Sequence, residues 1–456
     1  MDKQKILKKV RVVLMILLYL ACIGAFFFVG NIELWSGVAA VLAAALAAVY
    51  FIEGKRKPAV FVLLAAAVLE VIWILAKWYL FYLLGLYIMI ITVIYMTAAM
   101  IKENKNPDKK KGLADRIKVC MGVAASILIL AFTCFLSVTA ATSVPFIKFM
   151  QKNMMGGAGN YYEPKENIIN EIEAGTIISN IEYGTEYPNS YLDIYLTDVG
   201  SPEEAPTYIF FHGGGYVWGD KQEGDPNGGS DKGLQWYFQQ FVKNGYNVVA
   251  PNYALGPDYK YPTPVKQMSQ MIGFLNKNAS EYRLNMDHVI LGGNSGGGQL
   301  AGIMACIQTD EKYSKQIGIQ PVLDPESLKA VVFSSALLDN ERSYRTNDLG
   351  ADFLFLQCGK AYYGWDLLER KTGIVNMIDH VTDQFPPSFI SDGNSGTFYD
   401  QAFDLHEQLD DLNVPNEINW YPVSEEKLGH DFETQATSYS SENLEKLLAF
   451  LEKETK

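Results

Sequence analysis

Cysteine and histidine are scarce in this chain, with five of each among 456 residues. Three of the cysteines lie in apolar runs, and Cys306 has the pattern of a helix core position, so a disulfide between Cys306 and Cys358 is not expected. No spacing of cysteine and histidine is typical of a zinc site, and the sequence predicts no metal. Internal repeats and low-complexity tracts are also lacking, which argues against a repeat architecture.

Positive charge is scarce in the later part of the chain. Residues 1–118 hold 16 Lys and Arg against 7 Asp and Glu, whereas the whole chain holds 38 against 51. The remainder therefore carries 22 basic side chains against 44 acidic ones. A surface this acidic repels nucleic acid, and we expect no nucleic-acid partner. The length and this change in composition predict two or three units.

Five apolar runs fill the first third of the chain. They lie at about 12–30, 36–52, 59–76, 79–101 and 119–144. Each is close to the roughly 20 residues that a helix needs to cross the hydrocarbon layer. The first run lacks a cleavage pattern and is predicted to be retained. We therefore predict an all-α transmembrane region of about five helices over residues 1–145.

Basic residues alternate between the segments that flank these runs. The chain start and the segments 53–58 and 102–118 are basic. The loop after the first run holds no Lys, and the loop after the third run holds one. Basic loops stay in the cytoplasm, which predicts a cytoplasmic N-terminus and, after five crossings, an extracytoplasmic second part. If the third and fourth runs did not form a hairpin, the number of crossings would change from odd to even. The acidic second part would then face the cytoplasm. Glu70 is either a functional intramembrane carboxylate or a paired or protonated group in the bundle.

Short apolar runs alternate with helical patterns in the acidic part. "TIISNIEYG" and "SYLDIYLTD" have the alternation of an antiparallel pair, and later β-rich runs are separated by helical stretches. This order predicts a mostly parallel sheet with helices on both faces. We assign 146–175 to a connector and 176–456 to the sheet domain. The aromatic-rich segment at about 340–384 interrupts the alternation and is predicted to be a cap insertion.

Residues 288–302 read "HVILGGNSGGGQLAG", which predicts a strand, a sharp turn and a helix. The turn matches G-x-S-x-G with Ser295 in the middle, a pattern typical of a nucleophile in strained backbone. N–H groups at the start of the helix favour a developing negative charge there. The pattern alone also fits a glycine-rich strand–helix turn without any chemistry.

Two further patterns favour chemistry at this turn. "FFHGGGYVWGD" puts three glycines after an earlier strand, where N–H groups can point at a ligand oxygen, although a flexible loop has the same pattern. "KLGHDFE" puts His430 in a loop after the last strand. The chain order of Ser, acid and His is the order that a sheet of this kind requires.

With "PNYALGPDYKYPTPV" and "HVTDQFPPSF", these motifs make residues from about 176 to 455 resemble α/β-hydrolases of the HGGG class. This is the esterase and lipase group that includes hormone-sensitive-lipase-like enzymes. The resemblance does not cover residues 1–145. It implies Ser295 as the nucleophile, His430 as the general base and no cofactor.

The same resemblance implies an oxyanion hole made by backbone N–H groups. Gly214, Gly215 and Gly296 would donate, with Gly213 as a neighbour in the tight turn. His212 is then a residue that braces the loop. Asp339 matches a family aspartate that is usually structural.

The triad acid departs from the family pattern. Relatives carry G-x-x-D after the strand, and this chain has Gly396 where the aspartate is expected. Asp392 is the predicted acid because a strand end places its side chain at the catalytic edge. Asp400 in the next helix is second, and a triad without a working acid is the remaining alternative.

These patterns predict a membrane-anchored serine carboxylic-ester hydrolase that acts outside the cytoplasm through an acyl-enzyme on Ser295. Small-molecule, lipid and glycan esters all fit as substrates. Aromatic side chains of the cap either line an acyl or aryl pocket or simply pack: Phe353, Phe355, Tyr362, Tyr363 and Trp365. A peptidase or amidase of the same fold would use the same triad. The displaced acid also suits a degraded hydrolase domain used for binding or sensing.

Overall fold

The structure of the chain is a computed structural model. It describes residues 3–27, 32–54, 57–76, 79–103, 135, 138–139, 142–155, 159–160, 166–221, 233–364 and 373–455. These residues belong to two compact units, Met1–Pro145 and Phe146–Lys456. The long helices of the first unit are apolar, and the second unit is built around one sheet.

Four long helices pack together in the described part of the first unit. They are α1 (Lys3–Phe27), α2 (Ile32–Ile52), α3 (Lys57–Ala76) and α4 (Tyr79–Glu103). Alanine recurs every four residues along one face of α2, and Ala39 and Ala43 are fully buried there. Large apolar side chains point the other way: Val41 is 69% exposed and Phe61 is 71% exposed. Small residues therefore let the helices approach, and the outer faces are apolar.

One stretch of the described residues is long and apolar enough to cross a membrane. It is Leu34–Ile52, with 19 residues and a mean hydropathy of 2.0. Pro58–Ile72 and Leu84–Ala98 are apolar but shorter. The prediction of about five spans is thus not supported by the residues that the structure describes, and most of the run 119–144 lies outside them.

Glu70 lies inside this helical unit. Its side chain is fully buried, and it faces Gly85 of α4. A Cβ on Gly85 would come within 2.9 Å of the Glu70 carboxyl carbon, so glycine leaves the room that the carboxyl group needs. The group is therefore held between helices and away from the outer apolar faces.

The second unit contains a nine-stranded sheet in the described part of the chain. The strands are β1 (Ile168–Ile172), β2 (Gly175–Glu182), β3 (Tyr191–Thr197), β4 (Pro206–Phe211), β5 (Asn247–Pro251), β6 (Asn285–Asn294), β7 (Leu328–Ser334), β8 (Ser388–Asp392) and β9 (Asn416–Trp420). Their order is β1-β2-β3-β5-β4-β6-β7-β8-β9. The predicted antiparallel pair is confirmed as β2 and β3, and the pairs from β5 to β9 are parallel.

Helices cover both faces of this sheet, which confirms the predicted arrangement. The remaining described helices are α5 (Val144–Asn153), α6 (Leu234–Lys243), α7 (Thr263–Asn278), α8 (Gly296–Thr309), α9 (Glu311–Ile317), α10 (Leu349–Tyr363), α11 (Tyr399–Asp411) and α12 (Ser438–Glu454). Phe241 of α6 and Leu447 of α12 are fully buried in the core on one face. Met268 of α7 and Ile303 of α8 are fully buried in the core on the other. Parallel strands covered on both sides explain the continuous apolar runs of the sequence.

The segment predicted as a cap contains α10 between two short 3₁₀ turns, Asn340–Arg342 and Met377–His380. Tyr362 of α10 is fully buried and stacks on Tyr216, with 4.1 Å between ring centroids. This ring therefore packs in the interior. Trp365 lies outside the described residues. Cys306 and Cys358 are both buried and free, so no disulfide joins them.

Candidate active site

Ser295 lies at the junction of β6 and α8. Its backbone has φ 52° and ψ −124°, in the positive-φ region that residues other than glycine rarely adopt. The Ser295 N–H donates to the carbonyl of Ser334 at the end of β7, at 3.0 Å. Strain of this kind persists only where the surroundings impose it, and it is common at functional sites. The turn thus has the strained-elbow geometry expected from G-x-S-x-G.

The glycines around Ser295 are required by a close approach of α8 to β4. A Cβ on Gly297 would collide with the carbonyl groups of Phe211 and His212. Phe211 also pairs in register with Gly293 in the parallel β4–β6 ladder. The backbone of α8 can therefore pack directly on the end of β4 only if this position lacks a side chain.

The three-glycine segment begins at this same end of β4. Gly214 has φ 92° and Gly215 has φ 57°, and the Gly214 carbonyl accepts from the N–H groups of Val217 and Trp218, each at 3.1 Å. A side chain on Gly214 would collide with the Trp218 carbonyl. The segment is therefore a tight turn. We call residues 213–218 the glycine loop.

The N–H groups of the predicted oxyanion hole are available. Within the described part of the chain, no hydrogen bond uses the N–H of Gly214, Gly215 or Gly296. Gly213 behaves differently, because its carbonyl accepts from the ring of His212 and from the hydroxyl of Tyr253. Gly213 therefore holds the base of the turn, as the resemblance implied.

His212 is buried under the glycine loop. Its Nδ1 lies 2.8 Å from the Gly213 carbonyl, and its ring stacks on Tyr253 with 4.2 Å between centroids. Burial lowers the pKa of His212 to about 4, so its ring is neutral near pH 7. These contacts suit a residue that braces the loop.

His430 reaches the same edge of the sheet from the loop after β9. The N–H of the next residue, Asp431, donates to the hydroxyl of Ser335 at 3.1 Å. Ser335 directly follows Ser334, whose carbonyl holds Ser295. Ser295 and the loop that carries His430 are thus both held at the end of β7, through residues 334 and 335. Nε2 of His430 is buried and makes no hydrogen bond to any described residue, including Ser295.

A threonine separates His430 from its nearest buried carboxylate. Nδ1 of His430 lies 3.0 Å from the hydroxyl oxygen of Thr397, and that hydroxyl donates to Asp392 Oδ1 at 2.5 Å. Asp392 ends β8 and is 1% exposed. Its carboxylate therefore contacts the imidazole through Thr397 and not directly.

Asp400, the second predicted acid, lies elsewhere. Its carboxylate is 3.5 Å from Arg342, which also pairs with Asp339 and Asp404, each at 2.6 Å. The Asp339 carboxylate also caps the 3₁₀ turn that follows it. Both aspartates therefore belong to an ion-pair cluster around Arg342. Of the two predicted acids, the structure connects Asp392 to His430.

Sequence reasoning missed three residues of this site: Thr397, Ser335 and Glu433. Glu433 is fully buried and accepts from the Ser335 N–H at 3.0 Å and from the Ser335 hydroxyl at 2.9 Å. It thereby ties the His430 loop to β7. The only sequence signal for two of them is nearness to the predicted site. Thr397 directly follows Gly396, where the family aspartate is expected, and Glu433 lies three residues after His430.

Two buried carboxyl groups adjoin the hydroxyl of Ser335. Burial raises the pKa of Asp392 to about 8, partly offset by the hydrogen bond from Thr397. Burial and the neighbouring Asp392 raise the pKa of Glu433 well above its usual range. Two carboxylates this close do not readily ionise together, so we expect the pair to hold a proton near pH 7.

The Thr397 bridge also selects a tautomer of His430. When Asp392 is the ionised member of the pair, Thr397 donates its only hydroxyl proton to Asp392. Its oxygen then accepts from the Nδ1–H of His430. The remaining nitrogen, Nε2, keeps its lone pair. A neutral imidazole with a free Nε2 is the form that a general base requires.

Comparisons with known proteins find relatives named as esterases and as an alpha/beta hydrolase. A family model described as BD-FAE matches residues 192–409. A protein of Acanthamoeba polyphaga mimivirus named as an alpha/beta hydrolase is 26% identical over 226 residues, which are 47% of this chain and 59% of that protein. An esterase of Gibberella moniliformis is 22% identical over 275 residues, which are 58% of this chain and 79% of the relative.

A solved structure shows the same architecture. Esterase B from Lactobacillus rhamnosis superimposes with a TM-score of 0.52 at 21% identity, covering 68% of this chain and 94% of that one. A similarity of this size establishes the fold. The second unit therefore has an α/β-hydrolase fold. The match to the mimivirus relative spans less than two thirds of that protein.

Proposed function

We propose that this chain is a serine carboxylic-ester hydrolase that is anchored in a membrane and acts outside the cytoplasm. The observation that carries the enzymatic part is the strained Ser295 elbow, at a sheet edge that also holds a glycine loop with unbonded N–H groups and the loop of His430, whose Nε2 makes no hydrogen bond and lies 3.7 Å from Asp431 Oδ1. The names of the relatives, which include esterases of Gibberella moniliformis and Fusarium pseudograminearum, support an ester substrate.

The reaction would proceed in two halves. Ser295 Oγ attacks the ester carbonyl carbon while His430 Nε2 takes the hydroxyl proton, and the oxyanion that forms accepts from Gly214, Gly215 and Gly296. Collapse of this intermediate expels the alcohol, which takes the proton from His430, and leaves an acyl group on Ser295. Water then attacks the acyl carbonyl with the same base, releasing the acid and restoring the serine.

Thr397 and Asp392 would supply the acid function of the triad together. The ionised Asp392 polarises the Thr397 hydroxyl, and that oxygen holds Nδ1–H of His430. When Nε2 takes the proton, the positive ring is stabilised by the buried negative charge one hydroxyl away. Because the pKa of Asp392 is raised to about 8, this ionised form becomes more populated as pH rises toward 8, while Glu433 keeps its proton.

The membrane part of the proposal is supported by the surface of the first unit. Its helices bury alanine and expose large apolar side chains, which is the arrangement of helices that pack in lipid. Leu75 is 79% exposed, and Phe51 is 72% exposed. The alternation of basic loops supports a cytoplasmic N-terminus and an extracytoplasmic hydrolase unit.

Ester turnover by the detergent-solubilised full chain tests the enzymatic part. We expect hydrolysis of p-nitrophenyl acetate that falls at least about 10⁴-fold in Ser295→Ala, because that variant lacks the nucleophile. Peptide p-nitroanilides, offered in parallel, should turn over far more slowly. Faster anilide turnover would favour the peptidase alternative. Absence of both activities in the parent protein would support a degraded hydrolase used for binding.

A membrane-impermeant fluorophosphonate probe tests sidedness in cells that produce the full chain. We expect labelling of intact cells that is lost in Ser295→Ala. Labelling that appears only after the cells are lysed, with a cytoplasmic serine hydrolase as the control for leakage, would place the hydrolase unit in the cytoplasm. That result would change the number of crossings without affecting the chemistry.

A further inference from the structure

Helix α5 lies before the region that the family model matches, yet it contacts the glycine loop directly. Ile147 is fully buried and packs with Val217 of the loop and with Cys358 and Ala361 of α10. Phe146 adds an edge-to-face contact with Phe353 of α10, at 5.3 Å between centroids. The matched region begins at residue 192. This helix therefore reaches the catalytic edge from outside the matched region.

Gln151 of α5 forms the polar part of this contact. Its side chain is 4% exposed, and its amide nitrogen donates to the carbonyl of Val217 at 2.6 Å and to the carbonyl of Gly256 at 2.9 Å. One NH₂ group thus uses both of its protons on two different loops. The Gly256 N–H in turn donates to the Tyr216 carbonyl at 2.9 Å. Gln151 therefore joins the glycine loop to the loop that follows β5.

These bonds bear on the N–H groups that would hold the oxyanion. The N–H groups of Val217 and Trp218 both donate to the carbonyl of Gly214, so the position of residue 217 sets the closure of the turn. The opposite side of the turn is held by the Tyr216 hydroxyl, which donates to Gln299 of α8 at 2.5 Å. With Gln151 removed, the carbonyl of Val217 would lose its donor, and the bonds made at Tyr216 would remain to hold the turn. Oxyanion donors act through fixed positions, so small displacements reduce catalysis strongly.

We propose that Gln151 is a positioning residue for the oxyanion hole, and that α5, the helix that follows the apolar unit, thereby sets the activity of the hydrolase unit. The inference rests on the proposed ester hydrolysis. Gln151 acts through the glycine loop and contacts no reacting atom. A role confined to stability is the alternative, because two buried carbonyl groups lose their donors when Gln151 is replaced.

The test compares Gln151→Met and Gln151→Asn with two controls in the full chain. Methionine keeps the volume and removes both donors, whereas asparagine keeps the amide but is one methylene too short. Ile147→Ala weakens the packing of α5 on Val217 and leaves the amide in place. Lys152→Ala changes an exposed neighbour on the same helix. Melting temperature, kcat and KM for p-nitrophenyl acetate, and inhibition by phenylboronic acid are measured for each.

We expect Gln151→Met to lower kcat about 10- to 100-fold with KM changed less than about 3-fold. Affinity for phenylboronic acid, whose tetrahedral adduct on Ser295 places an oxygen in the oxyanion hole, should fall by a similar factor. Gln151→Asn should behave alike, Lys152→Ala should match the parent, and Ile147→Ala should lower the melting temperature with a smaller effect on kcat. If Gln151→Met does not fold, the same kcat, KM and boronic acid measurements on Gln151→Asn test the proposal.

The inference is contradicted if folded Gln151 variants keep kcat within about 3-fold of the parent. It is also contradicted if a Gln151 variant and Ile147→Ala have the same melting temperature and lose kcat equally. An unchanged affinity for phenylboronic acid in the Gln151 variants would contradict it as well. Failure of both Gln151 variants to fold would show a stability role and would equally contradict it. A parent protein that does not hydrolyse the ester at all rejects the proposed function instead.

Discussion

The two units of this chain differ in how many large apolar side chains they expose. In the helical unit, alanines such as Ala43 are inside and large apolar residues such as Val41 face outward. In the hydrolase unit, large rings such as Phe210 and Tyr208 are inside, together with the polar groups of the candidate site. More large apolar side chains therefore lie on the outside of the helical unit than on the outside of the hydrolase unit. This is the contrast that we expect if the first unit is anchored in a membrane, as proposed.

Each unit also buries a carboxyl group. Glu70 lies between α3 and α4, whereas Asp392 lies under His430 and is bonded to Thr397. Burial alone does not distinguish a structural acid from a catalytic one. The hydrogen-bond connection to the imidazole does, and this predicts that the two groups differ in their effect on chemistry.

The largest difference is expected between Asp392→Asn and Glu70→Gln. Asp392→Asn should lower kcat by about 10³- to 10⁴-fold, because the Thr397 bridge loses the charge that fixes the His430 tautomer and stabilises its protonated form. Glu70→Gln and Asp400→Asn should each stay within about 3-fold of the parent in p-nitrophenyl acetate turnover. A stronger loss in Asp400→Asn than in Asp392→Asn would reverse the assignment of the acid.

A charge on an outward-facing residue should affect the two units differently. Val41 in α2 and Val423 in the hydrolase unit are 69% and 61% exposed. Val41→Asp should disfavour membrane insertion by about 3 kcal/mol, because an aspartate near the centre of a spanning helix is costly. Val423→Asp should change stability by less than about 0.5 kcal/mol. Equal amounts of both variants in the membrane fraction would contradict the contrast between the units.

Replacing the bridging hydroxyl gives a smaller effect than removing the acid. Thr397→Val keeps the shape but breaks the contact between Asp392 and His430, and we expect kcat to fall about 10- to 100-fold. Thr397→Ser keeps the hydroxyl and should stay within about 3-fold. Steady-state kinetics of the two variants at several pH values separate a lost hydrogen bond from altered packing. Equal activities for Val and Ser would show that the bridge has no function.

The carboxyl pair predicts the smallest effect, on stability. Asp392 and Glu433 both have raised pKa values in the folded state, so the folded protein retains protons that the unfolded chain has lost. Stability should therefore fall as pH rises from about 4 to 8, the range between the unfolded and the folded pKa of Asp392. Glu433→Gln removes one of the two acids and should flatten this dependence. Thermal melts of both proteins over that pH range check the slope, and a steeper fall in the variant would contradict it.

Much of the hydrolase unit could be predicted from its sequence because its signals are local. Strand–helix alternation predicted the sheet, and the glycines around Ser295 reflect backbone contacts that the structure shows between α8 and β4. The antiparallel pair of β2 and β3 followed from alternation alone. The edge strand β1 was missed, since its residues lie in a segment interpreted as a connector.

The remaining features depend on contacts that sequence spacing does not encode. Thr397 reaches His430 from the loop after β8, and Glu433 bonds Ser335 from the segment after His430. Nothing in the neighbours of either residue marks it as part of the site. Gln151 contacts the glycine loop across 66 positions of the chain. Apolar runs predicted helices in the first unit, but run length alone overstated how many of the described helices are long enough to span a membrane.

The most direct test of the account is the covalent product of the full chain with a fluorophosphonate. After proteolysis, mass spectrometry should find one phosphonylated peptide, carrying the adduct on Ser295, and His430→Ala should slow its formation at least about 10³-fold. An adduct on another residue, or none on a folded protein, would contradict the assignment of Ser295 as an activated nucleophile.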